Sequence, residues 1–344
     1  MIKSNSGERG IFNRGDLLAQ MPERRRELFE NFIDQAGTNP CGEINLRSKQ
    51  FCNLTCIVVR PEDTAKDMKR KIKLATILGT YQASLTNFPY LSKEWTTNCR
   101  EEALLGVSIT GYWDNETIRK ENVLQELRDY SVKVNKDYAK RFGINHSASV
   151  TCIKPSGNSS QLLDTSSGMH PRYAKYYVRR IRVSATDPLF HLLKDQHVPY
   201  HPEVGQHEDT ATTFVFEFPV KSPDGAILKD DLSALDLLEH WKKLKMQFTE
   251  HNPSVTIYVG DDEWITVANW VYKNWDIVGG LSFLPRTDHV YQLAPYEEID
   301  EETYNTLENQ VGKIDFSQLV LYEKNDNTTG AKEYACLGGS CEII

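Results

Sequence analysis

Hydrophobic and polar positions along the chain alternate between two periods. Short β-branched or apolar runs, "TCIVV" (55–59), "LLGVSIT" (104–110), "SASVTCI" (147–153), "SVTIYVG" (254–260) and "GLSFLP" (280–285), predict five buried strands. Helical patterns separate them. One opens at Pro61 and runs to about Asn87; a second is capped by Asp114 or Asn115 and ends near Gly143; a third starts at Asp261 through "EWITVANWVYKNW". Between the third and fourth strands lies an insertion with a basic strand "YYVRRIRV", a strand "TTFVFEFP" and a helix near 232–249. In that helix Leu237, Trp241, Leu244 and Phe248 share one face at 4, 3 and 4 spacing. Strands separated by helices imply βα crossovers and a mostly parallel α/β sheet. Five such strands form a small doubly wound domain or half of a larger barrel, and periodicity alone does not choose between them.

Composition narrows the function classes. The chain has 344 residues, 40% hydrophobic and 26% charged, a globular balance. A net charge of −8 gives no electrostatic footprint for a nucleic-acid backbone. The basic clusters "PERRRELFE" and "VRRIRV" are short and suit small phosphate-bearing ligands instead. The first residues have no apolar signal region, and no run of about 18 apolar residues predicts a membrane span. Seven scattered cysteines are too few for a disulfide-stapled secreted fold, so an intracellular, cytoplasmic protein is expected.

Three stretches carry candidate chemistry. In "TNPCGEINLRSKQFCNLTC", Asn39, Cys41 and Glu43 share one face if the segment is extended. A cysteine between an amide and a carboxylate suits hydrogen-atom or nucleophilic chemistry; the competing reading is a loop cysteine with turn-capping neighbours. The spacing from Cys41 through Cys52 to Cys56 lacks the knuckle and nearby histidine of a zinc site, so no metal is expected, and Cys56 reads as core filler. Pro155, Ser156, Gly157, Asn158 and Ser159 follow a strand and precede a helix expected from about Ser160, a place suited to phosphate or simply to capping. The polar tail ends in Cys336 and Cys341, spaced for a reversible disulfide or half a zinc site.

Together these stretches resemble the catalytic subunit of ribonucleotide reductase over nearly the whole chain. "NPCGEI" is similar to the family's thiyl-radical loop, "FCNLT" to the site of one substrate-reducing cysteine, and "KPSGNSSQLLDTSSGMHPRYAKYYVRRIRV" to the phosphate loop and its sequel. The terminal C-x4-C resembles the family's swinging tail. "GGLSFLPRTDHVYQLAPYEEI" and "DNTTGAKEYACLGGSCEI" resemble the adenosylcobalamin-dependent class, and the Tyr-Tyr relay of the iron-dependent class is absent from that late region. Tyr176-Tyr177 lies just after the phosphate loop instead. Two small departures are Asn158, where the family commonly has Thr, and Arg9, where Pro is usual.

The resemblance implies the second half of a ten-stranded α/β barrel over residues 1–324, a finger loop at about 36–56, and a flexible redox tail over 325–344. It implies adenosylcobalamin as cofactor and a ribonucleotide substrate, a triphosphate before a diphosphate. Cys41 becomes the radical, Glu43 the base for the 3′-OH, and Asn39 a ligand of the ribose hydroxyls. Cys52 is one reducing thiol, and Cys336 and Cys341 are rereduced by a thioredoxin-like donor. The family's chain is about twice as long with its radical loop near the middle, so an upstream half is expected as partner, bringing the second reducing thiol and the effector loops. Rival readings are an inactive remnant or assembly partner, a fragment of a diphosphate reductase, and a zinc module on the tail.

Overall fold

The computed structural model describes residues 10–286 and 292–323, which fall into two compact units. The first comprises 10–172 and 229–286; the second comprises 173–228 and 292–323. The tail with Cys336 and Cys341 lies outside the described residues.

In the first unit, the strand Asn53–Val58 pairs in parallel with Leu105–Thr110, and Thr256–Val259 pairs in parallel with Gly280–Pro285. Two isolated parallel bridges, Val107 to Thr151 and Ile153 to Pro253, connect these pairs through the expected third strand. That segment is therefore held by bridges and not by a continuous ladder. Its Thr151 and Ser147 hydroxyl and amide groups bond side chains and loops: the Thr151 hydroxyl donates to Phe248 O at 2.5 Å, and Ser147 N donates to Asn135 Oδ1 at 2.8 Å. The spatial order is nonetheless the chain order of the five runs. A sixth strand, Gly10–Phe12, pairs antiparallel with Gly280–Pro285.

Helices cover the sheet where periodicity places them. Ala65–Ala83 begins at a capping box of Thr64 and Asp67, not at Pro61. Val123–Phe142 ends with Gly143 in the left-handed region, as expected, but starts at Asn122. Asn115 instead accepts from Ile118 N at 2.9 Å, just ahead of the short 3-10 turn Thr117–Arg119. The two helices meet along a polar seam: the Thr76 and Ser131 hydroxyls lie 2.7 Å apart, and Asn135 donates to Thr80 at 3.0 Å. The helix Lys93–Glu102 was not expected, because its charged sequence carries no apolar stripe. The helix Ala234–Gln247 starts at a second capping box, Ser233 with Asp236, and it belongs to the first unit and not to the insertion. Leu237, Trp241, Leu244 and Phe248 are all buried, so the expected face is the packed one.

The second unit is an antiparallel sheet in the order Tyr296–Glu298, Tyr176–Ser184, Thr213–Lys221, Tyr200–Pro202. Its core joins Val183, Phe190, Leu193, Phe214 and Phe216, with Phe190 and Phe214 stacked at 4.4 Å. The arginines of "VRRIRV" do not form a phosphate patch here. Arg180 pairs with Glu217 at 2.7 Å and with Glu297, and Arg182 pairs with Glu203.

Gly106 fixes how closely the first two strands approach the Cys41 turn. A Cβ there would lie 2.3 Å from Leu54 Cδ2 and 3.1 Å from both Cys152 Sγ and Ile44 Cδ1. Gly106→Ala is expected to cost about 1–3 kcal/mol by overpacking, read as a lower urea midpoint; an unchanged midpoint would mean the floor under the turn is loose.

Candidate active site

Cys41 sits at the tip of a small hairpin whose arms, Gly37–Thr38 and Asn45–Leu46, pair antiparallel. Between them "NPCG" forms a β-turn in which Gly42 N donates to Asn39 O at 3.0 Å, with Gly42 at φ +75°. Asn at the first position, Pro at the second and Gly at the fourth are the residues such a turn favours. The extended reading is thus overturned, and Asn39, Cys41 and Glu43 do not share a strand face. Asn39 turns inward, its Oδ1 accepting from Ile44 N at 3.0 Å and its amide bonding the Glu43 carboxylate. Glu43 is 1% exposed, while the Cys41 residue is half-buried and borders an open pocket of about 220 Å³.

Glu43 is the least settled group of the site. Burial raises its pKa, against smaller lowering effects from Asn39, its own backbone amide and the Lys154 charge. Its Oε2 is buried with no hydrogen-bond partner among the described residues. A buried carboxylate left half-satisfied is costly and is a mark of a working group.

Two thiols, Cys52 and Cys152, feel the charge of this carboxylate. Burial drives the Cys52 pKa far up; Arg25 opposes this, and Glu43 and Glu102 add to it. Cys152 is likewise pushed well up, by burial first and then by the charge of Glu43. Cys56, raised by burial, lies 3.9 Å from the Ser156 hydroxyl, so it adjoins the turn Pro155–Ser159. All three remain protonated at neutral pH, the state in which a thiol carries a hydrogen atom.

The turn Pro155–Ser159 starts a helix earlier than expected, Gly157–Leu162, with Ser156 left-handed at φ 56°. Asn158 and Ser159 are exposed at its open end. Ser160 is buried, its hydroxyl 2.5 Å from that of Ser167. The route from Cys41 to this turn is short. Ser254 donates its hydroxyl to Cys41 O at 2.5 Å and its amide to Ile153 O at 2.9 Å, two residues before Pro155. The pocket beside Cys41 is lined by Gly10–Phe12, Thr38, Pro40–Gly42, Asn252, Ser254, Val255 and Gly280–Ser282, and takes no wall from 155–159.

A buried ionic network supports the hairpin from below. Arg25 of "PERRRELFE" bonds Glu102 at 2.9 Å and the Asn45 carbonyl at 2.7 Å, so this arginine serves the interior. Gln50 donates to Glu102 at 2.6 Å, and Arg47 lies 3.5 Å from it. His251 donates from Nε2 to Leu105 O at 2.9 Å, leaving Nδ1 to accept from Arg25 at 3.3 Å. Burial and the Arg25 charge push the His251 pKa well down, which keeps the ring neutral. Sequence reasoning passed over His251, Asn252, Ser254 and Lys154. The only signal was position: "TEHNPS" precedes a strand, and Lys154 precedes the phosphate turn.

No cluster of three or more metal-ligating side chains occurs among the described residues. None of their helices is long and apolar enough to cross a membrane.

No family model matches the chain. It is 30% identical over 351 aligned residues to the adenosylcobalamin-dependent ribonucleoside-triphosphate reductase of Lactobacillus delbrueckii subsp. bulgaricus, covering 90% of this chain and 46% of that protein. The enzyme of the same name from Lactobacillus gasseri is 27% identical, covering 98% and 49%. A crystal structure of a B12-dependent (class II) ribonucleotide reductase superposes with a TM-score of 0.71 at 25% identity, over 93% of this chain and 48% of that one. The chain spans about half the length of the curated relatives it matches.

Because the fold raises the Glu43 pKa, it favours the protonated acid. That contribution is whole below the ordinary carboxyl range and is lost as pH rises through the folded value. Glu43→Gln, which carries no charge to bury, is therefore expected to be the more stable chain at pH 8, by about 1 kcal/mol or more. The advantage should shrink toward acid pH. Urea titrations at several pH values check this; a wild type more stable at pH 8 would contradict it.

Proposed function

We propose that this chain, a homologue of class II, adenosylcobalamin-dependent ribonucleotide reductases over about nine-tenths of its length, carries the radical cysteine of a ribonucleoside-triphosphate reductase. It acts in the cytoplasm with a polypeptide that supplies the remaining length of those relatives. The observation that carries the reading is the turn at Cys41. A cysteine is presented beside a pocket, a buried carboxylate of raised pKa lies two residues on, and a protonated thiol, Cys52, feels that carboxylate's charge.

Each residue type suits its role. Sulfur at Cys41 holds an unpaired electron far more readily than a hydroxyl oxygen would, and as a thiyl it takes the 3′ hydrogen of the ribose. Glu43 accepts the 3′-OH proton, a general-base contribution of roughly 10²–10⁴-fold. Asn39 steers the carboxylate and meets the ribose hydroxyls. Water leaves C2′, and Cys52 with a second thiol from the missing polypeptide supplies two protons and two electrons, closing a disulfide; Cys41 then returns the hydrogen to C3′ and Glu43 the proton to the 3′ oxygen. Cys336 and Cys341 reopen the disulfide by exchange and are recharged by a thioredoxin-like donor. Pro155–Ser159 receive the phosphates. Adenosylcobalamin, when bound, supplies the radical chemistry. Its fit rests on the open wall at Cys41, where a Cβ on Gly42 would meet nothing within 4 Å.

Two features support a missing partner. The strand Asn53–Val58 pairs on one side only among the described residues, and its sequence carries no charge or proline to protect an edge. Beside it lies an apolar groove of about 390 Å³ between Leu54, Cys56, Ala75, Leu78, Tyr81 and Leu85. Leu78 is 60% and Leu85 59% exposed. This edge and groove, continued by a strand and helix of the partner, would extend the five parallel strands toward a ten-stranded barrel, with residues 36–56 as its central finger.

The chain alone is expected to reduce no nucleotide, and to gain activity with the complementary polypeptide and adenosylcobalamin. Cys41→Ser should abolish turnover without weakening assembly. Cys336→Ser should complete one turnover but stall with a protein reductant. Product assays and co-purification read these outcomes; unaided turnover by the isolated chain would refute the need for a partner.

A further inference from the structure

We infer that Ser254 is a positioning residue that sets Cys41 at a fixed distance from the phosphate turn, acting through its hydroxyl. The inference takes its catalytic meaning from the reductase reading, but its geometry stands apart from it. Three consecutive carbonyls of the turn are each held by the segment 252–254. Cys41 O accepts from the Ser254 hydroxyl at 2.5 Å, Gly42 O from Asn252 Nδ2 at 3.2 Å, and Glu43 O from Asn252 N at 3.0 Å.

Of these ties, the Ser254 hydroxyl alone reaches the residue that bears the sulfur. The same residue's amide donates to Ile153 O at 2.9 Å, beside the Ile153–Pro253 bridge. One serine thus touches the turn with its side chain and the strand leading to Pro155 with its backbone. The amide bond belongs to the sheet and needs no particular side chain; the hydroxyl bond does not belong to the sheet. It is the contact a merely structural strand residue would lack.

Ser254→Ala removes that one contact and keeps the amide bond and both Asn252 ties. With its tie to the Ser254 hydroxyl gone, Cys41 should sample more open positions and react faster with iodoacetamide, by roughly three- to tenfold, the population change one lost hydrogen bond permits. Timed alkylation of the whole chain, read peptide by peptide by mass spectrometry, gives the rate at each cysteine. Cys56 and Cys99 should keep their wild-type rates, and Ser254→Thr, which retains the hydroxyl, should restore Cys41 to its own. An unchanged Cys41 rate in Ser254→Ala overturns the inference. So does a rise at all cysteines together, which would mean general loosening.

With the complementary polypeptide and adenosylcobalamin, the same variant should lose kcat while KM stays near wild type, because phosphate contacts persist and only the sulfur is misplaced. If the wild-type mixture shows no turnover while the thiol result holds, the reductase reading fails and the positioning role survives.

Discussion

The site depends on one backbone constraint: a tight turn must hold its cysteine against the end of a parallel strand. A four-residue turn is a weak structure by itself. Here its inside is braced by Asn39, which fills the Ile44 amide and reaches the Glu43 carboxylate. Its outside is braced by Asn252 and Ser254. The segment that supplies those braces also borders Ile153, so the sulfur and the turn Pro155–Ser159 are referred to one frame. Reactions at a sugar whose phosphates are held elsewhere demand such a frame, since small misplacements of the reacting atom are expensive.

The frame is stiffened by charge in an interior that would ordinarily exclude it. Arg25 and Glu102 are both fully buried, and the Asn45 carbonyl, Gln50 and His251 complete their bonding. A network of this kind contributes little net stability, yet losing one member leaves the others unpaired at high cost. That asymmetry favours a single arrangement of the hairpin base. It also fixes the electrostatic setting of the thiols, since Arg25 and Glu102 act on Cys52 in opposite directions. On the helix Ala234–Gln247, burial draws the Lys245 pKa down to about 7, and its Nζ donates to the His251 carbonyl at 2.9 Å.

Much of this was legible in the sequence, for physical reasons that differ by element. The strands 55–59, 104–110, 254–260 and 280–285 announced themselves through apolar β-branched runs, and the helix Ala234–Gln247 through a stripe ending in Phe248. The segment 147–153 looked equally strand-like, but its small polar residues spend their bonding on loops and side chains. Lys93–Glu102 was missed because "KEWTTNCREE" has no stripe to read. At the site, "NPCG" carried a plain turn signature that the alternation argument overrode, so the shared face expected of Asn39, Cys41 and Glu43 was mistaken in geometry. The arginine clusters misled in the opposite way. Their charge suggested ligands, but only the folded chain shows which carboxylates, distant in sequence, neutralise them. Ser254 and Asn252 act through carbonyls some 210 positions away, and no local pattern encodes that.

The most direct test of the claim that Cys41 attacks the sugar uses a ribonucleoside triphosphate with deuterium at C3′. It would be presented to the chain with its complementary polypeptide and adenosylcobalamin, following the first turnover. The account predicts slower deoxynucleotide formation than from the protiated substrate, because the bond to that hydrogen must break at the sulfur. Equal rates, with product still formed when Cys41 is replaced by serine, would contradict it.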